Sequence, residues 1–149
     1  MRAVVQRVKE ANVKVDGITI GEIKKGLVIL LGIKDNESIE EKKYIVDKIS
    51  NLRIFEDEDE KMNLSIKDIG GEVLLVPNFT IYGDCRKGRR PSFAGAARPE
   101  EAEVIYEELI NLIKLEGINV ETGKFRAEME VNIVNDGPVT VVLDSEKNI

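Results

Sequence analysis

The sequence predicts a single α+β domain, with two helices packed on a curved, mostly antiparallel sheet or partial β-barrel. Three observations support this class. Two segments carry apolar residues at helical spacing, about seven to nine short segments have strand character, and turn residues separate many of these strands closely enough for hairpins. The chain has 149 residues, a length that suits one hydrophobic core, so we expect one domain over residues 1–149.

The first strands are predicted between residues 2 and 31. Residues 2–9 and 12–16 have strand character, and Asp16-Gly17 predicts a hairpin into residues 18–20, because both residues tolerate positive φ. Leu27 to Leu31 is an uninterrupted apolar run after Gly26. Such a run is typical of a central strand that is buried on both faces.

The first helix is predicted to begin near Ser38. Ser38 and Glu41 match a capping box, and Ile45 and Ile49 continue one apolar face. Extended structure should return at residues 53–55. The acidic block after it, residues 56–60, fits a solvated loop tip better than a cation site, because EF-hand spacing and its glycine are missing.

A buried strand and a second helix follow. Residues 72–76 are apolar and come directly after Gly70-Gly71. Pro99 suits the first position of a helix, because its missing N–H group has no intrahelical partner there. The apolar stripe of this helix ends at Gly117, a residue common after helix ends.

The C-terminal part is predicted to form three strands. Residues 118–121 form a short one, and residues 125–134 alternate apolar and polar side chains, as in a strand buried on one face. Residues 135–138 are predicted to turn the chain back into a last strand at 139–143. Residues 144–149 are expected to be a frayed tail.

Composition excludes several chemistries. The chain has no histidine and one cysteine, which rules out Ser-His catalysis, His-ligated metals, zinc clusters and a disulfide framework. We expect neither a metal nor another cofactor. The longest apolar run is too short to cross a bilayer, and residues 1–10 lack a signal-peptide core, so we expect a cytoplasmic protein.

The charge of the chain is unevenly distributed. The net charge is −6, but residues 84–99 carry a local charge of +4, which leaves −10 for the remainder. Its cations are Arg86, Lys87, Arg89, Arg90 and Arg98. A basic segment on an acidic protein suits a local contact with a polyanion, although it is also common as a solvated loop.

Residues 76–83 offer groups that can bind or react with a carbonyl. The Thr80 hydroxyl follows a buried strand, Asn78 supplies a side-chain amide, and the N–H groups near Phe79 and Thr80 can form an oxyanion site. Without a neighbouring base, Thr80 is a poor nucleophile. The pattern also fits an ordinary strand residue and an asparagine that caps a turn.

Gly137-Pro138 is the second notable stretch. A Gly-Pro step permits positive φ and then fixes φ near −65°, so it forms a rigid turn. Its carbonyl groups can gauge a substrate by shape. A plain hairpin turn is the alternative.

Together these motifs resemble the D-aminoacyl-tRNA deacylase family, over about residues 1–143. The matching segments are Ala3 to Val8, Gly26-Leu27, Arg53 to Phe55, Lys61 to Leu64, Phe79-Thr80, Arg90 to Phe93, Thr122 to Phe125 and Asn135 to Thr140. The resemblance implies hydrolysis of the ester between a D-amino acid, or mischarged glycine, and the 3′-terminal adenosine of tRNA. It also implies a homodimer with active sites at the subunit interface.

The resemblance assigns roles to individual residues. Asn78, Phe79 and Thr80 would form the catalytic segment, in which the ribose 2′-hydroxyl assists water; a covalent intermediate on Thr80 is the rival mechanism. Gly137 and Pro138, joined by a cis bond and held by Arg7, would enter the partner's site and exclude the side chain of an L-amino acid. Phe125 and Met129 would lie near the adenine. Arg86, Lys87, Arg89 and Arg90 would contact tRNA.

The chain departs from the family at one place in this segment. Pro77-Asn78 stands where the family usually has Ser-Gln before Phe-Thr. Proline removes a hydroxyl and an N–H group, and asparagine is one methylene shorter than glutamine. The change bears on stringency against L-amino acids and glycine.

Two other classes of function remain open. The chain could bind the end of tRNA without catalysis, in which case RNA affinity would persist with no turnover. It could instead be an esterase or amidase for small molecules. Activity on D-amino-acid esters that lack RNA would favour that class.

Overall fold

A computed structural model describes all residues from Met1 to Ile149. The strands are β1 (Arg2–Val15), β2 (Ile18–Ile23), β3 (Gly26–Gly32), β4 (Phe55–Glu56), β5 (Met62–Leu64), β6 (Glu72–Pro77), β7 (Asn119–Thr122) and β8 (Glu130–Asp144). The helices are α1 (Ile39–Asn51), the single-turn α2 (Ile66–Ile69) and α3 (Pro99–Leu115), with a 3₁₀ turn at Phe79–Tyr82. None of the helices is long and apolar enough to span a membrane.

The predicted α+β fold with a curved sheet is confirmed. The long strand β1 pairs antiparallel with β3 through its first half, with β2 through its second half, and with β8 along its other edge. Strands β3, β6 and β7 continue the sheet in parallel, so the sheet is mixed. Register shifts in β1·β2 and β1·β8 add twist, and the sheet curls into a nearly closed barrel.

The apolar core lies on both faces of this sheet. Leu27, Ile29 and Leu31 of β3 pack with the helices, whereas Val28 faces a second cluster inside the curl. The prediction that this strand is buried on both faces is confirmed. Helix α3 is joined to the sheet by the buried Tyr106, whose hydroxyl donates to the Leu75 carbonyl at 2.6 Å.

Several local predictions are confirmed. Asp16 and Gly17 have φ of 50° and 76° and connect β1 to β2 as a hairpin. Ser38 caps α1, and Pro99 is the first residue of α3. The alternation from Phe125 to Ile133 is present as half-buried and exposed side chains, although the hydrogen-bonded strand begins only at Glu130.

Four segments differ from the prediction or were not predicted. Residues 2–9 and 12–15 belong to one continuous strand, and Asp16 is already in the turn after it. The helix count is three, because Ser65 and Asp68 form a second capping box around the short α2. Residues 79–82 form a 3₁₀ turn. The predicted tail is also partly wrong, since Asp144 and Ser145 are buried and the Ser145 N–H donates to the Met1 carbonyl.

The prediction that residues 135–138 turn the chain back into a separate last strand is wrong. Strand β8 continues through these residues, and β1 pairs with β8 on both sides, at Val8 with Asn135 and at Gln6 with Thr140. Strand β1 is long enough to give both halves of β8 a partner. The same residues that favour a hairpin therefore form a wide bulge within one strand.

The capping box of α1 makes the fold sensitive to acid. The Glu41 carboxylate accepts from the Ser38 N–H at 2.8 Å and lies 3.1 Å from the Lys34 ammonium. Burial acts to raise the pKa of Glu41, but hydrogen bonds from Ser38 and Lys34 outweigh burial and lower it from 4.5 to about 2. The folded state therefore gains stability from ionised Glu41 above pH 4.5 and loses it as the pH falls towards 2.

We expect Glu41→Gln to lower the free energy of unfolding by about 1 kcal/mol at about pH 7. The difference from wild type should shrink below pH 4.5 and vanish near pH 2, as measured by urea denaturation across this range. Glu40→Gln is the matched control, because Glu40 is exposed in the same first turn and accepts no such bond. A pH-independent difference would contradict the assignment.

Candidate active site

An open cavity of about 700 Å³ lies where the ends of β3 and β6 meet the start of α3 and residues 125–133. Most of its lining is apolar, including Leu31, Val76, Phe93, Phe125, Met129 and Val131. Its size and its few polar groups are typical of a site for a small organic group. The half-buried side chains of residues 125–133 thus line this cavity and are not enclosed in the hydrophobic core.

The polar end of the cavity is formed after β6. The Asn78 N–H donates to the Leu31 carbonyl at 2.8 Å, and the chain then enters the 3₁₀ turn. Asn78 and Phe79 line the cavity, and the Thr80 hydroxyl donates to the Asn78 side-chain oxygen at 2.5 Å. Two of the three predicted catalytic residues, Asn78 and Phe79, thus border the cavity at its polar edge, whereas Thr80 does not line it and is joined to it through Asn78.

The groups at this edge are suited to binding a carbonyl oxygen. The N–H groups of Phe79 and Thr80 have no acceptor within the chain, because they begin the 3₁₀ turn. The only hydrogen-bond partner of the Thr80 hydroxyl is an amide, so no side chain is placed to take its proton. The exposed Phe79 ring packs edge-on against Phe93, with centroids 5.3 Å apart.

Pro77, Phe125 and Met129 also line the cavity. Phe125 lies against Tyr106 with ring centroids 5.9 Å apart, which couples the cavity wall to α3. These three predicted binding residues therefore share one space with Asn78 and Phe79.

Arg7, Gly137 and Pro138 do not line this cavity. The Gly137–Pro138 peptide bond is cis, and both residues are exposed. Arg7 is 6% exposed and donates from Nε to the Asp136 carbonyl and from Nη1 to the Ile54 carbonyl, both at 2.9 Å. The guanidinium also lies 3.4 Å from the Asp136 carboxylate. The buried arginine thus holds Asp136, the residue before the exposed Gly-Pro step.

Sequence reasoning missed the side chain of Asn135. Its amide donates to the Arg7 carbonyl at 2.8 Å and to the Val139 carbonyl at 3.2 Å. Asparagine beside Asp-Gly-Pro looks like part of a hairpin turn, and that interpretation hid its contact with β1. Only the pairing of β8 with β1 distinguishes the two arrangements.

The predicted tRNA-binding cations are not equivalent. Arg86 donates to the Asp84 carboxylate at 2.9 and 2.7 Å, and these bonds hold the pKa of Asp84 below its usual range. Lys87, Arg89 and Arg90 are exposed and form no ion pair within the chain. The free positive charge of residues 84–99 therefore comes from these three side chains and from Arg98, which is also exposed and without an ion pair.

The fold and the site define a class of protein. A small curved α+β domain presents an apolar cavity with an amide, a hydroxyl and free N–H groups at one end, near a loop of unpaired cations. These groups are chemically suited to a carbonyl compound attached to a polyanion. No three His, Cys, Asp or Glu side chains lie together as a metal site would require.

Comparison with known proteins gives the family. The family model described as D-Tyr-tRNA(Tyr) deacylase matches residues 4–144, and the chain belongs to this family. Proteins named D-aminoacyl-tRNA deacylase from Thermotoga petrophila and Clostridioides difficile are 57% and 58% identical to it, over 99% of both chains in each case. The chain is accordingly an enzyme, a hydrolase of the aminoacyl-tRNA ester bond.

Solved structures share the fold. The structure titled "c-Myc DNA Unwinding Element Binding Protein" is 40% identical, with a TM-score of 0.91 over 97% of this chain and 98% of that one. A structure titled "Structural Analysis of a probable eukaryotic D-amino acid tRNA deacylase" has a TM-score of 0.78 at 15% identity, over 95% and 97% of the two chains. The second likeness concerns the fold alone.

Proposed function

We propose that this enzyme hydrolyses the ester between a D-amino acid, or mischarged glycine, and the 3′-terminal adenosine of tRNA. It acts as a homodimer, and the Gly137–Pro138 turn of one subunit rejects L-amino acids in the site of the other. The observation that carries the proposal is the anchored Gly-Pro segment. Arg7, which holds this segment through Asp136, is buried. The Gly-Pro segment itself is exposed and does not line the cavity of its own chain.

The open cavity supports the same arrangement. Phe79, at its polar end, is 59% exposed although it is a large apolar side chain. A second subunit that covered this edge would bury the ring and bring its own turn to the cavity. The carbonyl groups of the turn would then face the substrate's α-carbon, where they leave no room for an L side chain.

The proposed chemistry uses groups that are already in place. Water adds to the ester carbonyl, assisted by the 2′-hydroxyl of the terminal ribose, and the developing oxyanion accepts from the N–H groups of Phe79 and Thr80. The carbon–oxygen bond to the ribose 3′-oxygen then breaks, and that oxygen takes the proton that the water loses. Thr80 positions the reacting groups, since its hydroxyl proton is directed at the side-chain amide oxygen of Asn78.

The remaining residues would bind the rest of the substrate. In this proposal Phe125 and Met129 contact the adenine, and Pro77 and Asn78 border the aminoacyl group; the support is that all four line the cavity. Lys87, Arg89 and Arg90 would contact phosphates of the acceptor end, with Arg86 contributing less because Asp84 neutralises it. A cytoplasmic location, where aminoacyl-tRNA is used, is part of the proposal.

Side-by-side deacylation of D-tyrosyl-tRNA, L-tyrosyl-tRNA and glycyl-tRNA tests the function. We expect rapid loss of the D-ester and of the glycyl ester, with the L-ester spared. Thr80→Ala should slow hydrolysis of the D-ester by about tenfold or less, because the variant loses one hydrogen bond but does not lose a nucleophile. A complete loss with Thr80→Ala would instead favour a covalent intermediate.

Other outcomes would overturn the proposal. Retained tRNA binding without hydrolysis of any ester would indicate a binding module. Equal hydrolysis of both tyrosyl esters would show that the chain lacks the chiral filter, and the Pro77-Asn78 departure would be the first place to look. Hydrolysis of D-tyrosine esters that lack RNA at the same rate as D-tyrosyl-tRNA would indicate a small-molecule esterase.

A further inference from the structure

The bulge that carries Gly137 and Pro138 is unusually wide. Gln6 pairs with Thr140 and Val8 pairs with Asn135, so four residues of β8, numbers 136–139, stand opposite Arg7 alone. A β-bulge ordinarily sets two residues against one. An excursion of four residues needs contacts other than the backbone ladder to fix its position over β1.

The Asn135 side chain supplies such contacts. Its amide group donates to the Arg7 carbonyl on β1 at 2.8 Å and to the Val139 carbonyl at the far end of the excursion at 3.2 Å. One NH₂ group therefore joins both ends of the excursion to the neighbouring strand. The Arg7 side chain holds a different atom, the Asp136 carbonyl, so the two residues act on separate points.

The oxygen of the same amide lies directly against Gly137. A Cβ built on Gly137 would be 2.8 Å from Asn135 Oδ1 and 2.4 Å from the Val139 nitrogen. No real Cβ has such neighbours, so the excursion closes tightly around the asparagine side chain. Contact with the Asn135 side chain thus fixes the position of Gly137.

We propose that Asn135 is a positioning residue for chiral selection. It fixes the position of the Gly137–Pro138 turn relative to β1. The inference rests on the proposed function, because it assumes that this turn rejects L-amino acids. When the amide is lost, the turn relaxes, and the L-aminoacyl ester gains access to the site. Hydrolysis of the D-ester should change little, because the N–H groups that would bind its carbonyl oxygen belong to Phe79 and Thr80, on a segment that Asn135 does not contact.

Asn135→Asp tests the inference with an isosteric change. The carboxylate has no proton to donate and would face two carbonyl oxygens, so we expect the ratio of D- to L-tyrosyl-tRNA hydrolysis to fall about tenfold or more at about pH 7.5. The fall should come from a faster L-ester reaction. As the pH is lowered, protonation of the introduced carboxylate restores one donor, so the ratio should recover part of its wild-type value.

Asn132→Asp is the matched control. Asn132 lies on the same strand, is exposed, and bonds to the Asn12 and Glu130 side chains, away from the excursion. It should leave the D/L ratio unchanged. Asn135→Ala, which removes the donors without adding charge, should lower the ratio in the same direction and keeps the test available should the aspartate variant fold poorly.

The outcomes separate this inference from the proposed function. If the wild-type enzyme shows no D/L preference, the proposed function fails first. If the wild-type enzyme is selective and both Asn135 variants are equally selective, Asn135 does not position the turn. A fall in thermal stability with an unchanged ratio would give Asn135 a structural role only and would also overturn the inference.

Discussion

Replacing Ala127 by phenylalanine is expected to reduce hydrolysis of D-tyrosyl-tRNA by at least about 100-fold, since a misplaced ester loses its alignment with water. Ala127 lines the cavity beside Phe125 and Met129 and is half-buried. A larger side chain there would enter the space that the substrate needs. Because this space is open, the protein should remain folded.

Single-turnover hydrolysis and circular dichroism of the same preparation would check this prediction. Thr19→Phe serves as the control, because Thr19 is exposed on β2 outside the cavity and accepts an added ring without filling the site. Full activity of Ala127→Phe would show that the ester binds elsewhere. Loss of the folded signal would instead give Ala127 a role in packing.

Replacing Arg7 by leucine is expected to lower the D/L ratio by at least about tenfold, because the hydrogen bond to the Asp136 carbonyl and the ion pair with the Asp136 carboxylate disappear and no longer hold the turn. Arg7 binds the carbonyl groups of Asp136 and Ile54 and approaches the carboxylates of Asp136 and Glu56. The variant leaves these acceptors without their donor, so we also expect a loss of about 1–3 kcal/mol of stability. The L-ester reaction should accelerate while the D-ester reaction persists.

Arg53→Leu is the control for Arg7→Leu. Arg53 also makes two hydrogen bonds through its guanidinium, to the backbone and side-chain oxygens of Asn63, but it does not touch the Gly-Pro segment. Its D/L ratio should stay at the wild-type value. An unchanged ratio in Arg7→Leu would mean that Arg7 does not govern selectivity.

The two variants together test where the turn acts. In a mixed dimer, one site combines the open cavity of the Arg7→Leu chain with the intact turn of the Ala127→Phe chain. If the turn serves the partner's cavity, refolding the two chains together should raise the D/L ratio of the mixture above that of Arg7→Leu alone. No recovery would place each turn in its own subunit's site.

Features that depend on neighbouring residues could be predicted from the sequence. The start of α1 at Ser38, the first position of α3 at Pro99 and the hairpin at Asp16-Gly17 follow from caps, a fixed φ and tolerance of positive φ. The alternation after Phe125 likewise reports which side chains face inward. The motif pattern also placed the chain in its family, although the local chemistry of Thr80 and Gly137 alone left ordinary structural roles open.

Features that depend on distant partners were decided by the tertiary structure. Asn135 to Pro138 carries strong turn signals, yet the chain continues as β8 because β1 is long enough to pair with it on both sides. The same folding brings Phe125 and Asn78, which are far apart in the sequence, to the lining of one cavity. A residue's own φ preferences and periodicity are local properties, whereas the strand that satisfies its backbone is chosen by contacts far along the chain.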